Sequence, residues 1–252
     1  MHLRPLTPVL VAILLAGTLS IGAGRLVETD AAVLPLSGVV IAIDPGHNGG
    51  NAGHSAYNNR LVFIGNRWKA CNTVGTSTVS GYPEHRFDFE VALRVKSRLE
   101  ALGATVYLTR TTDTGVGPCI DVRGKFGARV HAQLTLSIHG DGSSASNHGF
   151  FVMKPGLVRG YTDDILARSA KLAIAIRTGL VGAGLTVANY YAKNGLVTRT
   201  DLGTLNMSDV PVVMVELGNM KNSGDATRMK LGSGRDRYAA GLVAGIRAFL
   251  GR

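Results

Sequence analysis

Cysteine is almost missing from this 252-residue chain: only Cys71 and Cys119 occur, without a Cys-x-x-Cys spacing. A thiolate-rich metal module and a dense disulfide scaffold are both excluded. Acidic residues are few beside basic ones, 17 Asp and Glu against 27 Lys and Arg, for a net charge of +10. Aromatics are sparse at 6%, with a single tryptophan. The basic residues form no clustered stripe with interleaved aromatics, and no DNA-binding motif is present, so a nucleic-acid partner is not expected. The charge favours anionic surfaces and polymers instead. No internal repeat and no second domain are visible. What is present is ordinary for a globular chain: 45% hydrophobic and 17% charged residues, in a length that suits one domain with a full core. The 33 glycines point to loops with backbone shapes other residues avoid.

The N-terminus reads as an export signal. Residues 1–8 include Arg4 and no acid, and residues 9–22 are almost entirely apolar and small. Ile21-Gly22-Ala23 then offers small residues for cleavage. Residues 1–24 are therefore expected to be a signal peptide and 25–252 the mature domain, exported to the periplasm or cell wall. The apolar run is shorter than the ~20 residues a membrane span needs. No stable membrane insertion is expected after cleavage; an uncleaved anchor is the alternative. No cysteine follows the run, which excludes lipid attachment there. In an oxidising compartment Cys71 and Cys119 are expected to form one disulfide, worth roughly 4 kcal/mol in the chain-entropy model. Zinc ligation by this pair is the competing reading, and the wide spacing weighs against it.

Strand and helix signals alternate. Short apolar runs at 38–44, 104–109, 134–138, 150–153 and 212–215 read as buried strands. Apolar residues three or four apart mark helices over 87–102, 120–132, 163–181 and 238–250. This alternation predicts an α/β fold with a mainly parallel sheet. Residues 51–81, rich in Asn, Gly, Ser and Thr, read as a long irregular insertion.

Three of the apolar runs end in residues that can hold a metal or move a proton: Asp44-Pro45-Gly46-His47, Ser137-Ile138-His139-Gly140 and Met214-Val215-Glu216-Leu217-Gly218. Ligands of open α/β sheets bind at the carboxyl ends of the strands. His47, His139 and Glu216 can therefore meet although they are far apart in sequence. Glu84 stands at the start of the first helix, where the dipole favours a carboxylate, and it can face the same crevice. Each has an ordinary explanation alone, as a loop histidine or a helix-start charge. Glu216 is hardest to dismiss, because an acid closing an apolar run is costly unless paired or exposed. Together they suit a hydrolytic zinc site, in which two His and one Glu leave a position for water. A further carboxylate, the role that suits Glu216, takes the proton of that water. His54, His85, His131 and His148 read as structural or solvated, with His85 and His54 the substitute ligands.

The blocks IDPGHNGG, EHRFDFEVALRVKSRLEALGATVYLTRTTD, LSIHGDGS and LNMSDVPVVMVELGNMKNSGD resemble, in this order, the catalytic domain of the zinc-dependent N-acetylmuramoyl-L-alanine amidases. The resemblance spans roughly residues 38–250. It implies Zn2+ on His47, Glu84 and His139, with Glu216 as the catalytic acid/base. It implies a single α/β domain whose mixed, mostly parallel six-stranded sheet is flanked by helices. The substrate it implies is peptidoglycan or a muropeptide, cut between the lactyl group of N-acetylmuramic acid and L-alanine. Arg123 matches an arginine common before the second histidine block, and Arg123 and Asp141 are expected beside the ligands or the substrate.

Two departures stand out. Where the family commonly reads Ser-Ile-His-Ala-Asn, this chain has Ser137-Ile138-His139-Gly140-Asp141. The stretch between His47 and Glu84 is longer than the family pattern and contains Cys71. A disulfide to Cys119 would pin this insertion near the site and shape the groove; a blocking segment is the other reading. No long helical insert lies between Gly149 and Glu216, so inhibition by a mobile helix is not expected. The lack of an obvious exposed apolar stripe favours a monomer. Two rival functions remain at this point: a zinc peptidase acting within the stem peptide, and a non-catalytic wall-binding protein with a structural zinc.

Overall fold

Alternating elements build the layers that the sequence pattern implies. The computed structural model describes residues 33–191 and 194–252; the expected signal peptide lies outside them. Strand β1 (Val40–Pro45) is buried along nearly all its length, as a strand covered on both faces must be. Residues 51–81 prove more regular than their composition implies. They carry helix α1 (Ser55–Asn59) and a hairpin of β2 (Leu61–Phe63) and β3 (Trp68–Ala70). Helix α2 (Glu84–Glu100), β4 (Thr105–Leu108), α3 (Ile120–Arg129), β5 (Leu134–Asp141) and β6 (Phe151–Pro155) follow. The remainder adds α4 (Leu166–Gly182), β7 (Leu196–Arg199), α5 (Gly203–Asn206), β8 (Val212–Asn219), α6 (Ser223–Lys230) and α7 (Gly232–Leu250).

The main sheet has the order β4-β1-β5-β8-β6-β7. Its first four strands are parallel, β6 runs antiparallel to β8, and β7 runs parallel to β6. A single α/β domain with a mixed, mostly parallel six-stranded sheet is therefore observed. Two strands extend further than their apolar runs. His139 lies inside β5, and β8 continues past Glu216 to Asn219. Glu216 is thus held within a paired strand rather than at its end.

Side chains alternate between the faces of a strand, and here the alternation separates core from chemistry. Ile41 and Ile43 of β1, Leu134, Leu136 and Ile138 of β5, and Val213 and Val215 of β8 enter the main core. Val91, Val95 and Leu99 of α2, Ile176 and Leu180 of α4, and Leu242 and Ile246 of α7 complete it. The intervening positions, Asp44, Ser137, His139 and Glu216, fall on the other face. Helices α4 and α7 cross closely at glycines. A Cβ on Gly179 would stand 2.3 Å from the Gly241 carbonyl, and one on Gly245 would stand 2.6 Å from Ile176 Cα.

Candidate metal centre

Asp44 anchors the polar face. It is wholly buried and accepts hydrogen bonds from Thr109 Oγ1 at 2.6 Å, Ser137 Oγ at 2.7 Å and Arg123 Nη1 at 2.6 Å. Burial works to raise its pKa, but the Arg123 charge and the two hydroxyls outweigh it and hold the carboxyl below the usual range. Arg123 also donates to the carbonyls of Pro45, His47 and Pro118. It therefore grips the turn that carries His47. In that turn His47 adopts a φ of 52°, uncommon for residues other than glycine, though His enters this region more readily than most.

Two further contacts aim the His47 ring. Its Nδ1 lies 3.0 Å from the Thr73 carbonyl, which can only accept, so this nitrogen carries the proton. Nε2 then faces Glu84 Oε1 at 3.0 Å. Glu84 stands in the first turn of α2. The backbone N–H of Thr76 donates to its Oε2 at 2.8 Å, and that of Gly140 to its Oε1 at 3.3 Å. His139 Nδ1 reaches the same Oε1 at 3.1 Å. Gly46 makes room for this ring, because a Cβ there would lie 2.2 Å from His139 Cε1.

His47 Nε2, His139 Nδ1 and Glu84 Oε1 thus converge on one another. With Nδ1 of His47 already donating, its Nε2 is free to act as a metal donor. Bonds of 2.0–2.2 Å to zinc place tetrahedral donors roughly 3.3 Å apart, close to the separations seen, so the donor set fits a zinc ion. Burial tends to lower the pKa of both histidines. In His47 the Glu84 carboxylate and the Thr73 carbonyl reverse this and raise it; in His139 burial prevails and the value falls. Burial also opposes ionisation of Glu84, but the two histidines pull its pKa well down.

Glu216 pairs in register with His139 on one side and Phe151 on the other. Burial, with the charges of Glu84 and Asp141, pushes its pKa well above the ordinary carboxylate value. Its Oε2 is buried without a hydrogen-bond partner. Asp141 accepts a hydrogen bond from Tyr190 Oη. These groups line a cleft of about 740 Å3, together with Lys69, Tyr191 and Arg199.

The remaining candidates lie elsewhere. His85 Nδ1 is 2.9 Å from Asp113, and His54 Nδ1 is 2.7 Å from the Gly50 carbonyl, so neither joins the centre. Cys71 and Cys119 form a disulfide and are not metal ligands. Sequence reasoning missed Asp88, whose carboxyl lies in the cluster with His47, Glu84 and His139. The signal was available: Glu84, Asp88, Val91 and Val95 recur three or four apart on one buried helix face. It also passed over the roles of Asp44, which holds Arg123, and Thr73, which holds the His47 ring.

The chain belongs to the N-acetylmuramoyl-L-alanine amidase family, whose model matches residues 41–248. It is similar to the N-acetylmuramoyl-L-alanine amidase Rv3717 of Mycobacterium tuberculosis, 41% identical over 219 residues that cover 85% of this chain and 88% of that one. Among solved structures it resembles the amidase Ami1 of Mycobacterium smegmatis, with a TM-score of 0.81 and 37% identity over 86% of this chain and 98% of the other. Ami1 of Mycobacterium abscessus gives a TM-score of 0.81 and 38% identity over 85% and 100%.

Proposed function

We propose that this protein hydrolyses the amide between N-acetylmuramic acid and the L-alanine of the stem peptide in peptidoglycan, using Zn2+ held by His47, Glu84 and His139. The observation that carries the reading is the convergence of three donor atoms beside the half-buried Glu216, whose Oε2 is unpartnered, in one cleft. The names of the relatives above support the choice of bond. A bound zinc ion supplies Lewis-acid polarisation of the scissile carbonyl and a water with its pKa lowered towards about 7. Glu216 takes the proton of the attacking water at its carboxylate and delivers it to the leaving nitrogen of L-alanine. Its unpartnered Oε2 and raised pKa suit a group that both receives and returns a proton. Glu84, fixed by the Thr76 and Gly140 N–H groups, stays ionised and orders the two rings.

Digestion of purified peptidoglycan followed by mass spectrometry tests the reading. Released peptides should begin with a free L-alanine amine. Cleavage between two amino acids would sink the proposal and identify a peptidase. Glu216→Gln should lower hydrolysis at least about 100-fold, the lower end of what general acid–base catalysis contributes, with zinc content unchanged. A wall-binding protein with a structural zinc would show no hydrolysis to lose.

Residues 1–24 act as a signal peptide in this reading, with residues 25–252 the exported domain in the periplasm or cell wall. Among the described residues no helix is long and apolar enough to cross a membrane. A monomer acting without a nucleic-acid partner belongs to the same reading.

A further inference from the structure

We propose that Asp88 is a fourth protein donor to the metal, so that two histidines and two carboxylates hold the ion. The inference rests on the reading of this cleft as a metal centre and extends it. Asp88 stands one helical turn after Glu84 on α2, pointing to the same buried side. It is wholly buried, and neither of its carboxyl oxygens has a hydrogen-bond partner. The Arg110 charge acts on Asp88, but no hydrogen bond joins the two. Arg110 donates instead to the carbonyls of Pro45, Thr112, Gly46 and His85 and to the Asp113 carboxylate. A buried carboxyl without donors is strongly unfavourable unless a cation compensates it. An Asp88 oxygen and one donor atom each from His47, Glu84 and His139 all lie within 4.8 Å of one another. Donors bonded to one zinc at 2.0–2.2 Å are at most about 4.3 Å apart even on opposite sides of it, so a modest side-chain shift brings the fourth within reach. Glu84 and Asp88 together neutralise a divalent ion. Catalytic zinc sites can expand to five donors during reaction, so four protein donors would still leave a place for water.

Asp88→Asn tests the assignment in the full-length protein without recourse to activity. Zinc and cobalt affinities are measured by competition with a chromophoric chelator, and the visible spectrum of the cobalt form reports coordination. The variant should bind both metals at least about 10-fold more weakly, and its cobalt bands should change in position and intensity. The metal-stripped variant should also melt above the metal-stripped parent, since an uncompensated buried carboxyl has been removed. Unchanged affinity with an unchanged cobalt spectrum would overturn the proposal and leave the three-ligand centre standing. A parent protein that binds neither metal would bring down the metal-centre reading itself.

Discussion

Asp44 shows how a residue outside the proposed ligand set governs the site. Its carboxylate holds Arg123, and Arg123 holds the His47 carbonyl. Because its folded pKa lies below the ordinary value of 3.8, Asp44 stabilises the fold above that value. The stabilisation is lost as pH falls through the lowered folded value. Asp44→Asn leaves Arg123 buried and uncompensated and should cost about 3–5 kcal/mol at neutral pH. Urea denaturation with a chelator present, at pH 7 and again below pH 3, checks this. The gap between parent and variant should narrow at the lower pH, and an equal gap at both would contradict the pairing. At this scale the sequence was partly readable. His47, His139 and Glu216 stood out because each follows an apolar run, so that three strand ends together suit one site. Glu84 needed the family resemblance, since an acid at a helix start is commonplace. Asp88 was missed because an acid inside a helix usually faces water, and only its place on the apolar stripe says otherwise.

Between the elements, the insertion and α3 meet at the disulfide. Cys71 follows β3, and Cys119 immediately precedes α3. Two residues after Cys71 comes Thr73, whose carbonyl accepts the His47 proton, and next to Cys119 is Pro118, whose carbonyl accepts from Arg123. The bridge therefore ties together the two supports of His47. Replacing both cysteines by serine should lower stability by up to about 4 kcal/mol and also weaken metal binding. Urea denaturation and chelator competition on the same preparation measure the two effects. Lost stability with metal affinity intact would show that the insertion does not need the bridge to aim His47. The strands of the parallel core were legible because each is a continuous apolar run. The direction of β6 was not, since an antiparallel neighbour has the same local pattern. Strand β7 and the hairpin were hidden by their brevity and half-exposed residues, and α6 by its low apolar content.

For the whole molecule, charge and chemistry act over different distances. The net charge of +10 favours anionic polymers in general, through water in which screening shortens the reach from about 30 Å at 0.01 M salt to about 3 Å at 1 M. The site is different: Glu84 and Asp88 are buried and Glu216 is half-buried, and groups removed from solvent are screened far less. Retention on intact sacculi should therefore fall steeply as salt rises across this range. Hydrolysis of a small soluble muropeptide, which needs only the cleft, should change little. Parallel assays at matched protein concentration separate the two. If turnover of the small substrate declined as sharply as retention on the sacculus, the positive surface would have to act within the cleft itself, and Lys69 and Arg199 on its wall would be the residues to alter next.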